Sequence, residues 1–477
     1  LLSVAGAAQD GNRVALPDLG ASASGVLSPQ EEEAYAQALL RQMRAYTVLV
    51  EDPLVNEFFA DMGYRLVAQS DHPDKNFHFV VLNEPVINAF AAPGGVVALY
   101  AGMIMAAENE DEVAGVLAHE VAHVTQMHLF RAFERARSMT IPLALAMLGM
   151  VLAGGASGEA IQGAVISGQA MAQQAQINFT RQNEYEADRI GIQTLHLAGY
   201  DPDGMAGMFA KLGRVNRPNG EGPPEYLRTH PLSTSRVAEA EARAHQLESR
   251  KQGDGRVFYL VQARVRALLE KRPQDAIDHF EHVLDLPGTG EFQREGAEYG
   301  LAIAQQRRGR YEQAAGLLEK LAEKRPRELA FQLQLADLEL ERGDAEAALD
   351  RLGGLYHSFP GNHAIAVEYA EVLIAQNDES KAETAAVILR QQLLGHPNNP
   401  ALYALYGRAA NAAGDPVRAT EAIAESYYQR GGIHEAVVQL ENLARRDDLD
   451  YYERARVTAR LTELRIQLVE AGQAHRG

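Results

Sequence analysis

The chain predicts a two-part fold: a mostly helical α+β domain with a small antiparallel sheet, followed by an all-α repeat solenoid. Three observations predict it. Amphipathic helical stretches fill the first half and are interrupted by one block of short β-rich runs. A later stretch repeats with a 34-residue period. The composition lacks Trp and holds only 7% aromatic residues against abundant Ala, Leu, Gln and Glu, a mix that favours helices.

The 477 residues, 46% of them hydrophobic, carry enough apolar material for two or more packed cores. A net charge of −19 repels phosphate backbones, so nucleic acid is excluded as a partner. With no cysteine there are no disulfides and no thiolate metal sites. Any zinc must be held by His and carboxylates.

The elements follow in order. The opening "LLSVAGAAQD" reads either as the tail of a secretory signal, with small residues from Ala5 to Ala8, or as a boundary without targeting meaning. Residues 1–27 form an extended leader rich in Gly, Ser and Pro. Ser28 caps a first helix, with Pro29 at its first position and acidic residues in its first turn. "PLVNEFFADMGYRLVAQ" is a second helix. "FHFVVLN", "VINAFAA" and "VVALYAG" are three strands joined by tight turns. "DEVAGVLAHEVAHVTQMHLFRAFERA" then has helical spacing throughout.

From Ser138 to Gly158 no residue is charged. The apolar run beginning at Ile141 is shorter than the roughly 20 residues of a membrane span and holds Pro142. It reads as a core helix, a mobile lid or a peripheral membrane contact through 141–158. "RQNEYEADRIGIQTLHLAGY" is a further helix. A long loop carrying "THPLSTSR" leads to the helix that closes this domain, which spans 28–250.

The second domain spans 256–477. Gly309 and Gly343 lie 34 residues apart, as do Pro326 and Pro360. Asn377 keeps the step, and Gly414 and Gly431 continue it irregularly. Ala314, Ala348, Ala382, Ala419 and Ala436 each follow an anchor by five residues. A 34-residue helix–turn–helix period with small residues at the crossings is the pattern of tetratricopeptide repeats. Each unit buries its apolar face only by stacking on neighbours.

The chemistry sits in "HEVAH". On a helix, His119 and His123 point the same way within about 40°, one turn apart, which suits two ligands of a tetrahedral zinc. Glu120 points elsewhere and can act as general base on a metal-held water. His128 lies about 180° round the same helix and reads as structural or surface. The third ligand is sought in "NEYEAD", where Glu184 and Asp188 share a face and Glu186 points away. Glu184 would reach the metal, and Asp188 would accept an N–H from a ligand imidazole.

HEVAH, then NEYEAD on a later helix, then THPLSTSR, with repeats behind them, resembles the M48 family of zinc metalloproteases. The closest branch is periplasmic and carries C-terminal tetratricopeptide repeats. The resemblance covers nearly the whole chain, from about Leu16. It implies a zincin-like fold for the first domain. It implies one Zn2+ per chain on His119, His123 and Glu184, with Glu120 as base. It also implies that the His–Pro loop lies over the zinc. His230 would then be a resting-state fourth ligand or an oxyanion donor, and Arg236 would stabilise the same charge. The function implied is assembly and quality control of outer-membrane β-barrel proteins. Unfolded or stalled barrels would be the substrates, and the repeats would recruit the barrel-assembly machinery or clients. Membrane-spanning relatives carry hydrophobic helices near the catalytic core; here only the run from Ile141 remains, which argues for a soluble or peripheral periplasmic protein. The edge strand that receives substrate is expected in "INAFAAPGG". The rival reading is a non-proteolytic chaperone or adaptor with a vestigial or structural zinc site.

Overall fold

The computed structural model describes residues 28–46, 49–135, 181–215, 224–248 and 253–474. The leader 1–27 and the apolar run 141–158 lie outside the described residues. Among the described residues no helix is long and apolar enough to cross a membrane.

Helix α1 (Pro29–Tyr46) starts on a capping box: Ser28 N donates to Glu31 Oε2 at 2.7 Å and Glu31 N donates to Ser28 Oγ at 3.3 Å. Asp52 caps α2 (Pro53–Val67), accepting from Val55 N at 3.0 Å. The sheet holds β1 (His78–Leu82), β2 (Ala89–Ala92) and β3 (Val96–Tyr100) in the order β1-β3-β2.

The sheet is mixed, not antiparallel as the short turns suggested. β2 and β3 are antiparallel, but β1 and β3 run parallel. The reason lies in burial. All five residues of β3 are buried, so it takes the centre and β1 docks on its far side. The β2–β3 turn uses Gly94 and Gly95 at φ 76° and 74°. A Cβ on Gly95 would lie 2.0 Å from Asn76 O, so only glycine fits. After β3 the chain turns into a short helix, α3 (Ala101–Ala106), where the sequence suggested continued strand.

Helix α4 (Glu110–Thr125) is capped by Asn109, which accepts from Glu112 N at 3.0 Å. Nearly all its residues are buried, as expected of a helix that runs through a core rather than over it. The expected single long helix is broken: Met127 adopts φ 51°, and α5 (His128–Arg135) restarts in a new direction. Against α4 pack α6 (Arg181–Leu197) and α7 (Asp203–Val215). The approach is close. A Cβ on Gly115 would lie 2.7 Å from Met205 Cα, and one on Gly191 would lie 3.2 Å from the Ala118 backbone. Two short helices, α8 (Glu225–Thr229) and α9 (Thr234–Ala244), complete this domain.

The solenoid runs as paired helices from α10 (Arg256–Leu269) through α11 (Pro273–Asp285), α12 (Glu291–Arg307), α13 (Tyr311–Lys324), α14 (Leu329–Glu341), α15 (Ala345–Ser358), α16 (His363–Ala375), α17 (Glu379–Gly395), α18 (Pro400–Ala412), α19 (Pro416–Gln429) and α20 (Ile433–Ala444) to α21 (Tyr451–Ala474). The repeat anchors have one physical job. Gly309, Gly343, Asn377, Gly414 and Gly431 all take positive φ at helix ends. The following Ala314, Ala348, Ala382, Ala419 and Ala436 are all buried where helices cross. The period breaks after Asn377 because α17 has 17 residues where α13 and α15 have 14.

The solenoid touches the first domain at both ends. Phe258, Val261 and Val265 of α10 belong to the same core as α4, and Gln262 Nε2 donates to Ile104 O and Ala107 O at 2.8 and 2.7 Å. At the other end Arg44 Nη1 donates to Gln429 O at 3.4 Å, and Arg430 pairs with Glu51 at 3.1 Å. Between them, buried Arg264 bonds Asp52, Tyr299 and Gln334 at 2.8, 3.0 and 2.8 Å.

Near that Arg264 cluster, burial pushes the Glu368 carboxyl up to about 8, against the opposing pull of Arg264. A folded value above the unfolded one means stability is lost as pH rises from about 4.5 to about 8. Glu368→Gln is expected to raise stability by on the order of 1–2 kcal/mol above pH 8, and far less at pH 4.5. Thermal melts of the two proteins at both pH values check this.

Candidate metal centre

The α4–α6 packing fixes the site. His119 and His123 project from α4 one turn apart, and Glu184 and Asp188 project from α6 one turn apart. Because the two helices approach at Gly191 and Ala118, the imidazoles and carboxylates meet. His230, the residue after α8, adds a fourth donor. His119, His123, Glu184 and His230 offer ligand atoms all within 4.8 Å of one another, and all four residues are buried.

The two Nε2 atoms of His119 and His123 face each other at 2.9 Å. Glu184 Oε2 lies 3.6 Å from His119 Nε2, and its Oε1 lies 3.5 Å from His123 Nε2. His230 Nδ1 lies 3.3 Å from both His119 Nε2 and Glu184 Oε2. On the outer side of His119, Nδ1 lies 3.0 Å from Asp188 Oδ1. That places the His119 proton on Nδ1, so its Nε2 turns a lone pair inward.

Facing lone pairs in the core repel unless a proton or a metal ion lies between them. The electrostatics have that form. Burial pulls His119 down, but Asp188 and Glu184 outweigh it and push the ring up to about 9. Burial and the neighbouring His119 charge drive His123 well down. Glu184 is held well below the usual carboxylate range, its burial outweighed by His230 and His119. Neutral imidazoles with a carboxylate are the donor set of a borderline divalent ion. The residues therefore fit a metal.

Glu120 is fully buried, and neither carboxylate oxygen has a hydrogen-bond partner. The His230 ring lies beside it, with Nε2 at 3.5 Å from Oε1. Oxygens held this way need a water or a substrate proton. Tyr226, whose hydroxyl is also unbonded, stacks under His230 at 4.7 Å between centroids and sets the ring's plane.

Arg236 sits differently from the sequence expectation. Its Nε and Nη2 donate to Asp188 at 2.7 and 2.8 Å, and its Nη1 donates to Pro231 O at 2.8 Å and lies 2.9 Å from Glu184 Oε2. All three nitrogens are engaged on the carboxylate side of the site, so the guanidinium clamps Glu184 and Asp188 and is not turned to an oxyanion. Burial of Asp188 is outweighed by Arg236, which holds that carboxyl low.

Two residues that sequence reading set aside are part of the site. His128 is fully buried, with Nδ1 at 2.8 Å from His123 Nδ1. Its Nε2 lies 3.1 Å from Glu186 Oε2. The helix break at Met127 brings His128 back to the His123 ring, and Met gives no warning of a positive φ. The five-residue step from His123 to His128 was the one available signal.

A helix carrying two imidazoles and a base, answered by a carboxylate from a second helix, defines a metal-dependent peptidase. The sequence profile of Peptidase family M48 matches residues 53–244, and a tetratricopeptide-repeat profile matches 339–385. The chain is 33% identical over 452 residues to the beta-barrel assembly-enhancing protease of Yersinia pestis, covering 94% of this chain and 91% of that one. It is 33% identical over 454 residues to the protein of that name from Escherichia coli K12, with 94% and 91% covered. The mitochondrial metalloendopeptidase OMA1 of Arabidopsis thaliana matches at 32% over 161 residues, 34% of this chain and 30% of that one. The chain belongs to peptidase family M48, in the branch of the beta-barrel assembly-enhancing proteases, and is a metalloendopeptidase.

Removing Arg236 strands two buried carboxylates. Arg236→Leu is expected to cost the protein about 3–5 kcal/mol, read from urea unfolding. Removing the exposed Arg189, which pairs with Glu239 at 2.8 Å, is expected to cost under about 1 kcal/mol.

Proposed function

We propose that the ion is zinc and that the chain cleaves outer-membrane β-barrel proteins that are unfolded or stalled during assembly. It would do so in the periplasm, with its repeats recruiting the assembly machinery or clients. The single observation that carries the catalytic part is the convergence of His119, His123, Glu184 and His230 beside a Glu120 whose two oxygens are unbonded. The substrate and partner parts rest on the names of the relatives matching more than nine-tenths of the chain.

His119, His123 and Glu184 would hold the zinc. When bound, zinc polarises the scissile carbonyl and acidifies a water. Glu120 would take a proton from the attacking water and deliver it to the leaving amine. Asp188 keeps the His119 proton on Nδ1, and Arg236 keeps Asp188 and Glu184 in place. His230 would be the resting-state fourth ligand. From that position its Nε2 would lie 3.5 Å from Glu120 Oε1, too long for a hydrogen bond but close enough to cover both the reactive position and the base. Displacing it frees both at once.

The substrate backbone would lie along β2. Among the described residues β2 is an edge strand, and the groove beside it is lined by Ala91, Ala92, Gly94, His123, Met127 and Phe130. Edge pairing of an extended chain suits unfolded β-barrel strands.

One observation favours a second reading. Four protein donors also make a closed structural site, as a chaperone or adaptor without turnover would have. Glu120→Gln separates the two. It is expected to keep the metal but to lower cleavage of an unfolded β-barrel protein by about 100-fold or more; cleavage at the wild-type rate would refute the base assignment. His230→Ala is expected to raise basal proteolysis severalfold in the same assay. An unchanged or lower rate would end the latency reading and leave the three-ligand site standing.

A further inference from the structure

We infer that His128 and Glu186 are positioning residues for the metal: they fix the proton of His123 on Nδ1 and so aim its Nε2 lone pair into the site. This rests on the metal-site reading above and goes beyond it, because the known logic of such sites would place the carboxylate directly on the ligand ring.

With both rings neutral, the geometry leaves one consistent placement of protons. A single proton lies between His123 Nδ1 and His128 Nδ1, which are 2.8 Å apart. If it belonged to His128, the Nε2 of neutral His128 would carry a lone pair aimed at Glu186 Oε2, 3.1 Å away. A lone pair against an anion at that distance is repulsive. With the proton on His123 instead, His128 Nδ1 accepts, and His128 Nε2–H donates to Glu186. Every group is then satisfied. The remaining face of His123, its Nε2, lies towards His119, Glu184 and the metal position.

Glu186 is itself held. Arg131 Nη2 donates to Glu186 Oε2 at 2.9 Å and to Asn183 Oδ1 at 3.3 Å. With the Arg131 guanidinium paired to it and His128 Nε2 beside it, the Glu186 carboxylate is placed as an acceptor. His128 and Arg131 both come from α5, whose direction is set by the Met127 break. The break therefore has a purpose: it turns the chain so that an imidazole can relay a carboxylate's orientation to a ligand ring on the preceding helix. His119 has its carboxylate directly, through Asp188 at 3.0 Å. His123 has it one ring removed. Both ligand rings are oriented from α6, one through Asp188 and one through Glu186.

The test uses the full chain and divalent zinc or cobalt. Zinc affinity is measured by chelator competition for wild type, His128→Leu, His128→Asn and Glu186→Ala, with the melting temperature of each metal-free protein. His128→Leu is expected to lose roughly 10–100-fold in zinc affinity and to shift the cobalt d–d absorption bands. Glu186→Ala, which leaves the His128 ring in place but unaligned, is expected to fall in between. His128→Asn, whose amide oxygen can accept from His123 Nδ1, is expected to recover most of the affinity. Wild-type affinity and cobalt bands in both His128→Leu and Glu186→Ala would overturn the inference. So would a loss in His128→Leu that His128→Asn does not rescue and that tracks a lowered metal-free melting temperature. A wild-type protein that binds no metal would overturn the metal-site reading together with this one.

Discussion

Two imidazole nitrogens face each other at 2.9 Å inside the core, and that contact needs a proton or a metal ion between them. Most of what surrounds it serves to hold it. The outer nitrogens of both rings face partners on the far side, Asp188 at 3.0 Å for His119 and His128 at 2.8 Å for His123. Their inner lone pairs have no other place to go. Glu184 would supply the negative charge that balances a bound ion, and Arg236 keeps that carboxylate and Asp188 from repelling each other. Polar groups this deeply buried are costly unless paired, so the cluster is stable only as a complete set.

The fold pays for that set through backbone proximity. Helix α4 is buried almost all round, and α6 and α7 approach it across glycines where a side chain would collide. The first solenoid helix packs into the same core through Phe258 and Val265, while α19 returns to α1 through Gln429 and the turn after it reaches Glu51 through Arg430. Helix α1 in turn lies against the Gly94 turn beside the β2 groove. The repeats thus lean on the peptidase domain at two places, one behind the metal helix and one beside the edge strand.

Much of this was legible in the sequence. The i, i+4 spacings of His119 with His123 and of Glu184 with Asp188 are helix geometry. They fix which side chains share a face without any tertiary information. The repeat anchors were legible for the same reason: a left-handed helix end calls for Gly or Asn, and a crossing calls for Ala. The sheet's direction was not, because strand order depends on which strand is most buried, and β3 won that place by packing. The break at Met127 was not legible either, since nothing local favours a positive φ there. With the helix assumed continuous, His128 was placed on the wrong side and Glu186 was left without a partner. Arg236 was found as a site residue, but its direction was set by Asp188 and Glu184, which only the fold brings within reach.

Zinc K-edge X-ray absorption on the purified full chain reads the central arrangement directly. The expected spectrum has a shell of nitrogen and oxygen at about 2.0–2.1 Å, with the outer-shell scattering of three imidazole rings from His119, His123 and His230. Purified protein without zinc, or a zinc spectrum with oxygen neighbours and no imidazole scattering, would contradict it.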